Sequence, residues 1–72
     1  MVHQPLRAEE YRARAAAEAA AGEASPLGQV RAKHERAAQV WAELASAEDV
    51  RDAERAARQR TVEARLAAVA AE

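Results

Sequence analysis

Cysteine is absent from the chain, so disulfides and thiolate metal sites are excluded. Phenylalanine is absent too, and Tyr11 and Trp41 are its only aromatic residues. Large side chains are scarce in general. Half of the 72 residues count as hydrophobic, yet 23 of those 36 are alanine, which leaves 13 larger ones. A buried Leu or Val contributes roughly 1.5–3 kcal/mol, and alanine adds little. A chain this short that is poor in such residues struggles to stabilise a core alone. One small domain is therefore the most the length allows, and self-association is expected.

No run approaches the roughly 20 apolar residues that a membrane crossing needs. The first residues lack the basic stretch and apolar run of a signal peptide. Neither sign of charge dominates: 11 basic and 12 acidic residues give a net charge of −1. A nucleic-acid binder is expected to be basic, with its charges clustered, so nucleic acid is not an expected partner. A soluble, cytoplasmic protein is the expectation, with no membrane partner.

Only two glycines and two prolines punctuate the sequence, and after Gly28 neither residue type recurs. What remains is dense in helix formers. Residues 26–45 are the stretch around which the rest is organised. Leu27, Val30, His34, Ala37, Trp41 and Leu44 fall at intervals of three and four, a heptad-like apolar seam broken by one histidine. Ala38 and Ala45 widen it, while Gln29, Lys33, Arg36 and Glu43 form the solvated face. Ser25 followed by Pro26 reads as an N-cap and first helical residue.

Ahead of that stretch, residues 1–5 read as a frayed start and residues 6–22 as a first helix, with Glu9 and Glu10 in its opening turns. Its expected buried edge is Ala8, Tyr11, Ala15, Ala19 and Gly22, small apart from the Tyr11 anchor. Gly22 reads as a left-handed C-cap, and residues 23–25 as a tight turn into an antiparallel partner. Beyond residue 45 the one candidate break is 46–49, where Ser46 resembles an N-cap followed by acids. No glycine or loop residue supports it, so a continuous helix over 26–70 is preferred. That helix is about 65 Å long, and the first helix, at about 25 Å, covers only its first half.

Pattern phase shows what the second half offers. At 100° per residue, Val62, Leu66 and Val69 return to within about 80° of the Trp41 direction. Glu48, Asp52, Arg55 and Gln59 occupy that face in between, while Val50, Ala53, Ala57, Thr61, Ala64 and Ala68 line the other side. The second set of apolar residues, from Val50 through Val62 and Leu66 to Val69, is expected to recruit another copy or a second protein. Intrahelical ion pairs are expected at Glu10–Arg14, Glu48–Arg51, Asp52–Arg55 and Glu54–Arg58.

Chemistry finds little support. His34 has a glutamate beside it but no second histidine four residues on, as zincins need, and Arg31 stands where a di-iron bundle needs a carboxylate. It reads as a partly buried histidine hydrogen-bonded across a helix interface. Tyr11 reads as a packing residue with a wet hydroxyl, and Trp41 as a core anchor. There is no phosphate loop and no nucleophile elbow, and no carboxylate pair sits in an apolar setting that tunes it for acid–base work. No enzymatic activity, cofactor, metal or small-molecule substrate is expected.

The pattern YRARA followed by SPLGQVRAKHERAAQVWAELA and then by Arg, Glu and Ala resembles a loose group of short Ala/Arg-rich helical proteins from high-GC proteobacteria. The resemblance covers about residues 11–60. It implies a bacterial cytoplasmic protein and carries over no activity and no site residue.

The sequence thus reads as all-α: an antiparallel helical hairpin with a long second helix, oligomeric, with a monomeric three-helix bundle as the alternative. The expected core or interface residues are Tyr11, Leu27, Val30, His34, Trp41, Leu44, Val50, Val62, Leu66 and Val69. The expected function is a self-associating interaction module. Its rivals are a regulator that folds against a larger protein, and a nucleic-acid-associated protein using Arg51, Arg55, Arg58 and Arg65, which stripe one face at intervals of four, three and seven.

Overall fold

The computed structural model describes residues 7–72, so the expectations for residues 1–6 lie outside the described residues. Two α-helices make up the described fold: α1, Arg7–Ala24, and α2, Gly28–Ala70. They form a helical hairpin joined by a connection of three residues, 25–27. Its overall dimensions are 69 × 22 × 12 Å, and α2, at about 65 Å, accounts for most of the length.

α1 forms because 18 residues rich in alanine carry Glu9 and Glu10 in the first turn, where the helix dipole favours acids. It runs two residues further than expected. Gly22 is therefore not a C-cap: it is helical and buried, and no glycine has positive φ. Missing its Cβ serves another purpose. A Cβ built there meets the His34 Cβ at 3.2 Å and the Arg31 carbonyl oxygen at 3.5 Å. Glycine permits the close approach of two backbones at the mouth of the hairpin.

The turn also differs in detail from expectation. Ser25 donates its N–H to the Gly22 carbonyl at 3.2 Å, closing α1. Its hydroxyl accepts the Leu27 N–H at 3.3 Å, and Leu27 is the extended N-cap residue of α2, without a side-chain cap. The serine thus shapes the turn two residues before the N-cap and does not itself cap the helix.

α2 runs unbroken for 43 residues. The candidate break at 46–49 is helical throughout, which removes the three-helix bundle among the described residues. No proline or glycine interrupts it, and of the stretch that resembles a helix start, Glu48 and Asp49 pair with Arg51 and Arg12 instead of capping. α1 faces only the first part of α2. Asp52 is the last residue of α2 that is not exposed, and residues 53–70 are exposed without exception.

Candidate functional site

The described residues form no enclosed pocket and no cluster of three His, Asp or Glu able to hold a metal ion. No helix among them is long and apolar enough to cross a membrane. The surfaces that can do something are the seam between the helices and the long exposed half of α2.

The seam is built from residues spaced three and four apart on both helices. On α1 they are Ala8, Tyr11, Ala15, Glu18 and Gly22. On α2 they include Val30, His34, Ala37, Trp41, Ala45, Glu48 and Asp52. Among the described residues the buried apolar side chains are those of Ala8 and Ala45, each 3 % exposed. The seam is a line of small residues with three larger features set into it.

At the mouth, the His34 Nδ1–H donates to Glu18 Oε1 at 2.6 Å. Both side chains are about two-thirds removed from solvent. The pairing bridges the helices one turn from Gly22, whose missing side chain makes room for the histidine. In the middle, Tyr11 and Arg14 both approach Trp41. The Tyr11 ring centroid lies 5.8 Å from that of Trp41, tilted by 33°. The Arg14 guanidinium carbon stands 5.2 Å from the Trp41 ring centroid, in cation–π range.

At the far end sits a carboxylate. Glu48 is 4 % exposed, nearly as buried as the seam alanines Ala8 and Ala45 at 3 %. Arg51 donates to it at 2.7 Å, and Arg55 approaches its other oxygen at 3.6 Å. The Arg51 hydrogen bond holds the Glu48 carboxyl below its ordinary range. Burial opposes this, and the charges of Arg51, Arg7 and Arg55 reinforce it. Arg12 reaches Asp49 at 3.0 Å and ties α1 to α2 beside this cluster. Asp52 accepts from Arg55. No buried side-chain polar atom among the described residues lacks a partner.

The expected residues divide in two. Tyr11, Val30, His34 and Trp41 lie half-buried in the seam. Leu27, at 63 % exposed, and Leu44, at 38 %, do not belong to the buried line, so the expectation that they hold α1 is corrected. Ala45 takes the place expected of Leu44, because closely spaced helices accept a methyl group more readily than an isobutyl group. Ala19 is exposed, and Glu18 occupies its expected place in the seam. Glu18 was legible only through His34, the partner it meets on the facing seam. Of the expected intrahelical pairs, Glu48–Arg51 and Asp52–Arg55 form, while Glu10–Arg14 and Glu54–Arg58 do not.

Val50, Val62, Leu66 and Val69 are all exposed. From Ala45 the seam positions continue as Glu48, Asp52, Arg55, Gln59, Val62, Leu66 and Val69, alternating steps of three and four. The stripe that faces α1 therefore carries on into the exposed half, and there its last three positions are apolar. Comparison of the chain with protein-family models, with curated proteins and with solved structures finds no match.

Proposed function

We propose that the protein is a non-enzymatic helical interaction module that self-associates through the exposed half of α2. The observation that carries this reading is the mismatch in helix length. α1 has 18 residues and α2 has 43, and the excess ends in Val62, Leu66 and Val69 on the same stripe that holds α1. A helix in water draws most of its stability from packing an apolar face. Burying those three side chains against another chain supplies what the hairpin does not provide. A cytoplasmic setting, consistent with a chain that has no cysteine, belongs to the same proposal.

The test is sedimentation equilibrium over a concentration series reaching high micromolar. A mass of two or more chains is the expected result. A chain that stays monomeric throughout overturns the reading. The nucleic-acid alternative is weakened by the ion pairs: of Arg51, Arg55, Arg58 and Arg65, the first two are engaged by Glu48 and Asp52. Phosphate contacts need cations that are not already neutralised.

A further inference from the structure

We infer that the partner on the exposed half of α2 is a second copy of this chain, aligned parallel and in register. The two tails then form a short two-stranded stem from which the hairpins diverge. The inference rests on the self-association reading above and adds orientation and register to it.

Continuity with the α1 seam sets the contact face. Beyond Asp52 the stripe places Gln59 and Leu66 at one kind of core position, and Arg55, Val62 and Val69 at the other. The residues beside that stripe are then fixed by the same spacing. Arg58 and Arg65 precede Gln59 and Leu66 on one flank. Ala56, Glu63 and Ala70 follow Arg55, Val62 and Val69 on the other.

Charge decides between orientations. In a parallel, in-register pair, each flank residue of the first kind meets the partner residue five positions further on the second flank. Arg58 then meets Glu63 of the other copy, twice by symmetry, while Arg65 meets an alanine. In an antiparallel pair like flanks face each other. Arg58 or Arg65 then opposes an arginine, and Glu63 opposes itself or an alanine. Parallel alignment gives two attractions and no repulsion beside the apolar layers. Antiparallel alignment over the same layers gives like-charge contacts and no attraction. Neither Arg58 nor Glu63 has an ion pair among the described residues. Glu63 accepts a single hydrogen bond, from Gln59 at 3.1 Å.

The parallel arrangement also fits the hairpin. α1 occupies the stripe up to Asp52, so a second α2 on that stripe begins where α1 stops. Arg55 lies at this junction, where it reaches back to Glu48 and Asp52 and leaves the stem. Three apolar layers make a small interface by the standards of stable complexes, so the dimer is of the weak, reversible kind.

The test uses full-length protein and two kinds of variant, with helicity by circular dichroism as the folding control. Arg58→Glu turns both attractions into repulsions and is expected to weaken dimerisation roughly tenfold in sedimentation equilibrium. Glu63→Arg is expected to do the same. The double variant R58E/E63R restores the exchanged pair and returns the dissociation constant to within about threefold of wild type. In an antiparallel dimer the outcome reverses, because Arg58→Glu places a glutamate against an arginine and tightens association.

The chain's lack of cysteine allows a second measurement. Val69→Cys, oxidised under mild conditions, is expected to form a disulfide dimer, because parallel register puts residue 69 against itself. Antiparallel pairing of Val62 with Leu66 separates the two thiols by roughly 15 Å, beyond disulfide reach. A wild-type dimer that gives no crosslink, or that tightens on Arg58→Glu, overturns the parallel alignment and leaves self-association standing. A wild-type monomer overturns both.

Discussion

Glu18 and His34 meet across the hairpin at 2.6 Å, in a seam otherwise dominated by alanine and glycine. Neither is fully exposed, so removing one leaves the other partly desolvated and without its partner. Glu18→Ala and His34→Ala are each expected to lower stability, and the double variant to lose less than their sum. A coupling of about 0.5–1.5 kcal/mol is expected from urea titrations followed by Trp41 fluorescence. Additive losses show that the pair does not hold the helices together.

Gly22 is tested by size. Alanine there gains helix propensity of about 1 kcal/mol but brings a methyl group against the His34 Cβ at 3.2 Å. The two effects oppose each other, and Gly22→Ala is expected to change stability by less than about 1 kcal/mol. Gly22→Leu cannot fit between the helices and is expected to separate them, with loss of the Trp41 environment and little loss of helicity in α2. Unchanged fluorescence for the leucine variant contradicts the close approach.

Trp41 has Tyr11 and Arg14 as close neighbours, yet is itself only half-buried. Trp41→Ala is expected to cost about 2–3 kcal/mol, near the low end for loss of a large side chain, because part of the ring is already in water. Trp41→Phe keeps a ring against Tyr11 and is expected to cost about 1 kcal/mol. Thermal unfolding monitored by circular dichroism checks both, and equal losses for the two variants argue against the aromatic contact.

Acid is expected to unlock the far end of the hairpin. The hydrogen bond from Arg51 holds the Glu48 carboxyl below its ordinary value of 4.5. A group depressed in this way binds a proton less readily folded than unfolded, so its contribution to stability is full above that ordinary value and declines as pH falls through the folded one. The difference in melting temperature between wild type and Glu48→Gln is expected to hold steady between pH 5 and 7, and to shrink below about pH 4.5. A difference that stays constant to pH 3 removes Glu48 from the acid response.

Much of the architecture was legible because it depends on what is missing. With no glycine or proline after Gly28, the long α2 follows from helix propensity alone, and the short connection follows from the cluster at residues 22–26. Tyr11 and Trp41 were legible as the largest side chains on facing stripes. The details of the seam were not. Periodicity weights large apolar residues, whereas a close helix pair selects small ones, so Leu44 was favoured over Ala45 and Ala19 over Glu18. Sequence spacing places Glu48 on the Trp41 face and shows its partner Arg51, but not the burial that α1 imposes on it. Gly22 carried the signal for a cap, and its role in close approach depends on a histidine twelve residues away.

The exposed half of α2 yields the sharpest prediction. Val62, Leu66 and Val69 stand in solvent at 48 %, 63 % and 66 % exposure, one turn apart along a single stripe. They lie beyond Asp52, the last residue of α2 that is not exposed, so replacing all three by glutamine leaves the seam contacts among the described residues in place. Self-association is expected to fall at least a hundredfold, since each buried aliphatic side chain contributes roughly 1.5–3 kcal/mol. The Tyr11–Trp41 environment is expected to stay as it is, with fluorescence unchanged at low concentration. Replacing Val50, Ala57 and Ala68 on the other side by glutamine separates the two faces of α2. A loss of association from that variant, with none from the first, assigns the interface to the alanine-rich side.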